Sequence, residues 1–533
     1  MSRKRKVILM GLALMMSLCV AGCSSSHLQL HQGTYSAAPV LSEVDAYITD
    51  EMKRQNIPGL AVGIVKDGRI VHLKGYGQAD SSGRAVTPDT PFMIGSNSKS
   101  ITAMAVLQLV EEGKIDLDAP VQRYIPLFQV VGPHSSTSDM TATDQLSKDV
   151  SSSITVRHLL NQTSGLTQFP GDKTVPPTYN GTDALEKRTQ IYTEGRVKLN
   201  RPVGQSYEYA NDNYVLLGLI VQRVSGQSYG NYVKEHIFEP LSMHNTFVSH
   251  EEALDHGLAT AHRRWFGFNV EYKSSHTFSR GDVPAGYIIS SAEDMSHYLI
   301  AQLNDGKYKD VFVLSPTGIN LMQTEPVPDT YAMGWLSDKV RDIPVIGHAG
   351  GSVGYQSHIW FTPEQRLGVV VMGNVLSAID ASLPNMEFST ASHIASDIIS
   401  LISNRPLPDQ GLSINQKYWI VNGVVLLLSV WLVFALVRVA KRYRRSFQYN
   451  MSGLFGPLWR AALIFLLHFI WPSAVFLMTI TEVVPVWHVL TIYQPDLIIW
   501  LKIVAIVVFL KGFTEIGLLF RLFTKNHKLI MGG

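Results

Sequence analysis

Apolar residues recur at helical spacing over 44–55, then the alternation tightens to the two-residue period of strands over 61–65 and 70–76, with Lys66, Asp67 and Gly68 between them. The pattern predicts a helix followed by a hairpin. Ile101, Met104, Ala105, Leu107, Leu109 and Val110 share the face of a further helix, which Gly113 can end in the left-handed conformation open to glycine. Near the other end, 356–361 and 366–372 read as two strands around the turn 362–365, and a helical segment follows over 391–402. Strands at both ends with helices between them predict an α+β body with one sheet, spanning 36–404. The stretch 132–153, rich in Ser, Thr and Asp, reads as a surface loop.

Beyond a linker at 405–417 the rhythm disappears. Residues 418–439 are almost wholly apolar, long enough at ~1.5 Å per residue to cross a hydrocarbon layer of ~30 Å. The basic run KRYRR at 441–445 marks a cytoplasmic flank. Further apolar stretches at 458–480, interrupted by Pro472, and at 497–520 complete an expected membrane domain of about three helices over 418–533, with a cytoplasmic C-terminus. Lys502, Lys511 and Glu515 fall within the last stretch, where charges are costly unless they pair, face other helices or snorkel to the interface.

The opening residues show a third pattern: a basic start, an apolar run, then Val20, Ala21, Gly22 and Cys23. The last four resemble a bacterial lipobox, which makes 1–23 an expected signal peptide, Cys23 the expected lipidation site and 24–35 a tether. Both ends therefore place the body outside the cytoplasm, on a cell membrane.

Composition agrees with a chain partly in lipid: 46% of the 533 residues are hydrophobic and 17% charged, against roughly 25% charged in an ordinary soluble domain. A net charge of +2 offers no field for gathering phosphates, so nucleic acid is not an expected partner. The only cysteines are Cys19 and Cys23, so the body holds neither a disulfide framework nor a cysteine-based metal site.

Three short stretches carry chemistry. In PFMIGSNSKS, Ser96 and Lys99 are three apart at a helix start, so one turn brings a hydroxyl and an amine to the same face. The amine can take the serine proton if burial lowers its pKa, and the backbone N–H of Ser96 can hold an oxyanion. In YEYANDNY, just before a helical run at 215–224, Tyr209 and Asn211 are two apart, so an extended backbone presents a phenol and an amide to one cavity. In GHAGGSVGY, His348 and Gly350 are two apart on an expected strand edge that glycine lets a substrate approach, and Gly351 offers a second oxyanion N–H.

The order Ser-x-x-Lys, Tyr-x-Asn, His-x-Gly resembles the serine hydrolases related to class C β-lactamases, which include D-alanyl-D-alanine carboxypeptidases, esterases and penicillin-binding proteins. Collinear stretches around the motifs, NIPGLAVGIVKDGRIVHLKGYG, ITVRHLLNQTSGL, YVLLGLIVQRVSGQSYGNYV and PLSMHNTF, extend the likeness over the body. The resemblance implies a β-lactamase/transpeptidase-like fold: an antiparallel sheet flanked by the terminal helices, an all-helical part, and the site between them. It implies that Ser96 attacks a carbonyl, that Lys99 and Tyr209 shuttle its proton, and that Asn211, His348 and Gly350 bind substrate. The N–H groups of Ser96 and Gly351 then form the oxyanion hole, and water releases the acyl group without metal or cofactor.

Two departures bear on the substrate. The pattern in β-lactamases and many carboxypeptidases has a lysine where this chain has His348, and a hydroxyl residue where it has Ala349. Both weaken the capture of a carboxylate. The expected activity is thus hydrolysis of an ester or amide, of esterase or D-amino-acid peptidase or carboxypeptidase type, with β-lactamase activity weak at most. The expected partners are a small-molecule or peptide substrate, with the cell wall as a candidate source, membrane lipid, and a candidate membrane protein for the C-terminal helices. The alternative is a penicillin-binding-like sensor that is acylated, releases slowly and signals through those helices.

Overall fold

The computed structural model describes residues 37–133, 150–168, 178–194, 197–324, 331–380, 389–445, 465–470, 472–475 and 490–531. The leader with Cys23, the tether, most of the expected loop at 132–153 and most of the second apolar stretch lie outside the described residues.

The predicted opening is present as helix α1 (Ala37–Arg54) and the hairpin β1 (Gly59–Lys66) and β2 (Arg69–Gly77). Asp67 and Gly68 turn the hairpin with positive φ, which is why a short flexible pair stands there. The remaining strands of the sheet come from the far end of the body: β3 (Tyr331–Ala332), β4 (Trp335–Val340), β5 (Ile343–Ser352), β6 (Tyr355–Thr362) and β7 (Leu367–Gly373). They form one antiparallel seven-stranded sheet in the order β2-β1-β7-β6-β5-β4-β3. The N-terminal hairpin joins through β1 and β7, from Leu60 opposite Gly373 to Lys66 opposite Leu367.

Strands β6 and β7 are buried along their whole length because both faces of the sheet are covered; β7 is accordingly a near-continuous apolar run, while β6 also buries the polar Gln356, Ser357, His358 and Thr362. Helix α5 (Thr390–Ile402) packs on one face of β6 and β7, and Tyr47 of α1 donates to its Asp397 at 2.6 Å. Helix α4 (Ala292–Leu303) packs on the other face, against β1 and β7. The helical part centres on α2 (Ser98–Glu111), which crosses α3 (Asn211–Ser225) and is buried on nearly every side, so its sequence is apolar without a strong stripe. Gly113 follows α2 at φ +71°, the left-handed ending expected of it.

Two boundaries differ from the pattern-based reading. Helix α3 starts at Asn211, four residues before its apolar run, because the polar Asn-Asp-Asn stretch supplies a first turn with an acidic residue near the helix N-terminus. Helix α6 (Ile414–Arg445) begins inside the expected linker. It and α7 (Pro495–Met531) contain two stretches long and apolar enough to cross a membrane, Ile414–Lys441 and Pro495–Gly517. Of the three charges expected to be costly there, two satisfy each other: Lys511 pairs with Glu515 at 3.2 Å, and its Nζ also lies 2.7 Å from His468 Nε2.

Candidate active site

The three sequence stretches meet at one place, where the helical part rests on the sheet. Ser96 sits in a single 3-10 turn, Gly95–Asn97, which feeds directly into α2, so Lys99 lies in the first turn of that helix. The turn lies against β5. Gly95 has φ +53°, and a Cβ there would come within 2.4 Å of the Gly351 nitrogen. At Gly350 a Cβ would come within 2.0 Å of the Ile94 carbonyl oxygen. Both glycines are thus demanded by backbone-to-backbone approach, which puts the Ser96 turn beside the Gly351 N–H. Asn97 ties the turn to the sheet, donating to Ser357 Oγ at 2.7 Å, while Ser357 donates to Ile94 O at 2.7 Å.

The pairing of β5 with β4 ends at Gly347 opposite Leu336, so 348–352 have no β4 partner. This is the strand edge that the glycines predicted.

Tyr209 reaches the turn from the segment before α3 and donates to Ser96 Oγ at 2.6 Å. Lys99 Nζ lies 3.1 Å from Ser96 Oγ and donates to Asn211 Oδ1 at 2.6 Å and to Ala285 O at 2.6 Å. Its ammonium form is disfavoured: burial lowers the Lys99 pKa well below the ordinary lysine value, against the attraction of Asp282. Ser96, Tyr209 and Asn211 are half-buried, so the cluster is open on one side to a reactant.

His348 is buried beside the cluster, its ring 6.1 Å from that of Tyr209 and 5.9 Å from that of Tyr331. Burial and the proximity of Lys99 push its pKa down to about 3, so it is neutral at pH 7. Nδ1 donates to Ala349 O at 2.6 Å, which leaves Nε2 as an acceptor, and Nε2 is buried with no partner among the described residues.

Several supporting residues escaped the sequence reading. The loop 161–165 holds the segment that delivers Tyr209 and Asn211: Gln162 Oε1 accepts from Ala210 N at 3.0 Å, Gln162 O accepts from Glu208 N at 2.9 Å, and Ser164 Oγ donates to Asn213 Oδ1 at 2.6 Å. Gln168 Oε1 accepts from the Asn211 N–H at 3.0 Å. Buried Arg188 pairs with buried Asp212 and, at 2.7 Å, with Asp282, which joins the start of α3 to the segment bearing the Ala285 carbonyl. Tyr331 supplies an aromatic wall against Tyr207, Tyr209 and His348. The only trace of these in sequence is the small-polar run NQTSGL; which segment it grips is a long-range fact.

The beta-lactamase family model matches residues 44–383. The chain belongs to the beta-lactamase family. Among curated relatives, Protein flp of Staphylococcus aureus (strain MW2) is 31% identical over 343 residues, a match covering 63% of this chain and 63% of that protein. The chain thus spans less than two thirds of that relative's length. Among solved structures, an octameric penicillin-binding protein homologue from Pyrococcus abyssi is 25% identical with a TM-score of 0.55, covering 69% of this chain and 78% of that one. The D-amino acid amidase of Ochrobactrum anthropi SV3 has the same TM-score of 0.55 at 22% identity, covering 69% of this family member and 99% of the amidase. The fold is therefore β-lactamase/transpeptidase-like, an antiparallel sheet with helices, as the motifs implied, and the family is one of serine hydrolases.

Proposed function

We infer that this chain is a membrane-anchored hydrolase with its body outside the cytoplasm, and that it works through an acyl-enzyme on Ser96, cleaving an ester or amide of low anionic character. The observation that carries this reading is the convergence of Tyr209 OH and Lys99 Nζ on Ser96 Oγ, at 2.6 and 3.1 Å. A serine hydroxyl becomes a nucleophile when a neighbour takes its proton in the transition state. Two such neighbours are in contact with it, and the amine is buried in a way that favours its neutral form.

In the proposed reaction, Ser96 Oγ attacks the substrate carbonyl as its proton passes to the Tyr209–Lys99 pair. The N–H groups of Ser96 and Gly351 stabilise the oxyanion, where one donor is typically worth ~10²- to 10³-fold in rate. The proton then goes to the leaving alcohol or amine, and water attacks the acyl-serine in the reverse sense. Asn211 keeps Lys99 in place and orients the substrate.

His348 supports the substrate preference. A neutral imidazole with a free acceptor favours a substrate N–H or O–H where a lysine would favour a carboxylate, and Ala349 adds no donor. A panel of short-chain p-nitrophenyl esters, a D-amino acid amide, a D-Ala-D-Ala peptide and nitrocefin tests this. The esters or the amide should lead and nitrocefin should turn over slowly; a nitrocefin kcat/KM near 10⁷ M⁻¹s⁻¹, toward the top of the usual enzyme range, would overturn the preference.

A further inference from the structure

The hairpin formed by Ala261–Trp265 and Phe268–Tyr272 is built inside out. Its register sets Trp265 opposite Phe268 and Arg263 opposite Val270 on one face, and puts His262, Arg264, Asn269 and Glu271 on the other. The second face is turned to the protein at His262 and Arg264, while Glu271 at its far end is exposed. Arg264 is fully buried, pairs with buried Asp380 at 2.9 Å and donates to Gln55 O at 2.7 Å, while His262 is buried beside it. Towards the tip the first face is turned out: Trp265, Phe268 and Val270 are 41%, 74% and 47% exposed, with half-buried Arg263 among them, while Ala261 at its base is buried. A half-covered antiparallel sheet in water normally does the opposite, with apolar residues in and polar residues out. Elsewhere in the described body, large exposed apolar side chains stand singly or as the pair Val311 and Phe312.

The tip of this hairpin is fastened to both candidate spans. Asn422 Nδ2 of α6 donates to Phe266 O at 2.9 Å, and the Phe266 N–H donates to Asp496 Oδ2 of α7 at 2.7 Å. Gly267, at φ +95°, passes so close to Tyr418 that a Cβ would lie 3.1 Å from its side chain. Arg263 donates to Ile492 O at 3.2 Å. Asn422 and Asp496 both lie near the body ends of their spans, so the exposed rings stand at the level where the chain leaves the body, as do Trp419 and Ile420, 79% and 57% exposed.

We propose that the outward face of this hairpin, with Trp265, Phe268 and Val270, is seated in the interfacial layer of the bilayer. The occupant is lipid: the patch continues the exposed apolar surface of the spans, it is fixed at their entry level, and aromatic rings are favoured at that boundary. The proposal rests on the reading that α6 and α7 cross a membrane. Its consequence is orientation. Ala261 abuts Gly354, where a Cβ would come within 2.6 Å of the Ala261 Cβ, so the hairpin holds the turn after β5 and, through β5, Gly350 and Gly351 at a fixed height above the lipid.

The test places a nitroxide on Phe268→Cys, and separately on Val270→Cys and Phe434→Cys, in the full chain reconstituted into phosphatidylethanolamine–phosphatidylglycerol vesicles. The unsubstituted chain, whose cysteines are Cys19 and Cys23, gives the labelling background. At each site, collision with oxygen, which concentrates in lipid, is compared with collision with a water-soluble nickel chelate. The expected result is oxygen dominating at Phe434 and chelate access reduced severalfold at Phe268 and Val270 when micelles are replaced by vesicles. Oxygen dominating at Phe434 with full chelate access at Phe268 and Val270 overturns the hairpin proposal and leaves the spans standing. Chelate access at Phe434 removes the membrane reading, and the hairpin proposal with it.

Discussion

What surrounds the nitrogen of Lys99 decides the chemistry open to Ser96. A neutral amine has two hydrogens and one lone pair; the oxygens of Asn211 and Ala285 take the hydrogens at 2.6 Å each, so the lone pair is left for the serine hydroxyl. Burial favours that neutral form by depressing the pKa. In the proposed mechanism the working form is the deprotonated one, so activity should be lost as pH falls through the depressed Lys99 pKa and hold level above it. An unperturbed lysine, near ~10.4, would instead give a rate rising tenfold per pH unit across neutrality. The pH profile of kcat/KM should therefore lack that rise, and a continued climb towards pH 10 would contradict the assignment. Lys99→Arg, which cannot deprotonate, should cost roughly 10²- to 10⁴-fold in kcat, measured on a p-nitrophenyl ester.

At the scale of elements, the site is a contact between one turn and one strand. The turn Gly95–Asn97 and the free edge of β5 approach so closely that Gly350 admits no side chain, a Cβ there lying 2.0 Å from Ile94 O. Gly350→Ala should push β5 away from the turn and misplace the Gly351 N–H. The expected cost is about 10²-fold or more in kcat, with the folded protein retained on thermal melting; an unchanged kcat would break the link between this contact and catalysis. Much of this was legible in the sequence. The N-terminal hairpin and the strands around 362–365 followed from two-residue alternation, and Ser96, Lys99, Tyr209, Asn211, His348 and Gly350 followed from short spacings that the structure brings together. Gln162, Ser164, Arg188 and Tyr331 did not, since each acts on a partner distant in sequence: Arg188 on Asp212 and Asp282, Tyr331 on Tyr209 and His348. The hairpin Ala261–Trp265 and Phe268–Tyr272 was hidden for a different reason, because its buried face carries His262 and Arg264 and its period points the wrong way.

Over the whole molecule, a beta-lactamase-family body is joined to two helices of membrane-crossing length by hydrogen bonds as well as by the chain itself, through Phe266, Asn422 and Asp496. The proposed topology puts the basic run at 441–445 inside and the body outside the cytoplasm. A fusion of alkaline phosphatase after residue 445 should be inactive and one of green fluorescent protein fluorescent; the reverse pattern would invert the topology. The central claim, covalent catalysis at Ser96, is tested most directly by mixing the full chain with a short-chain p-nitrophenyl ester, quenching in acid and locating the acyl group by peptide mass. The account predicts an adduct on Ser96 that forms and disappears within turnover, with hydrolysis reduced roughly 10³-fold or more in Ser96→Ala. Equal hydrolysis by wild type and Ser96→Ala, or an acyl group borne by another residue, would contradict it.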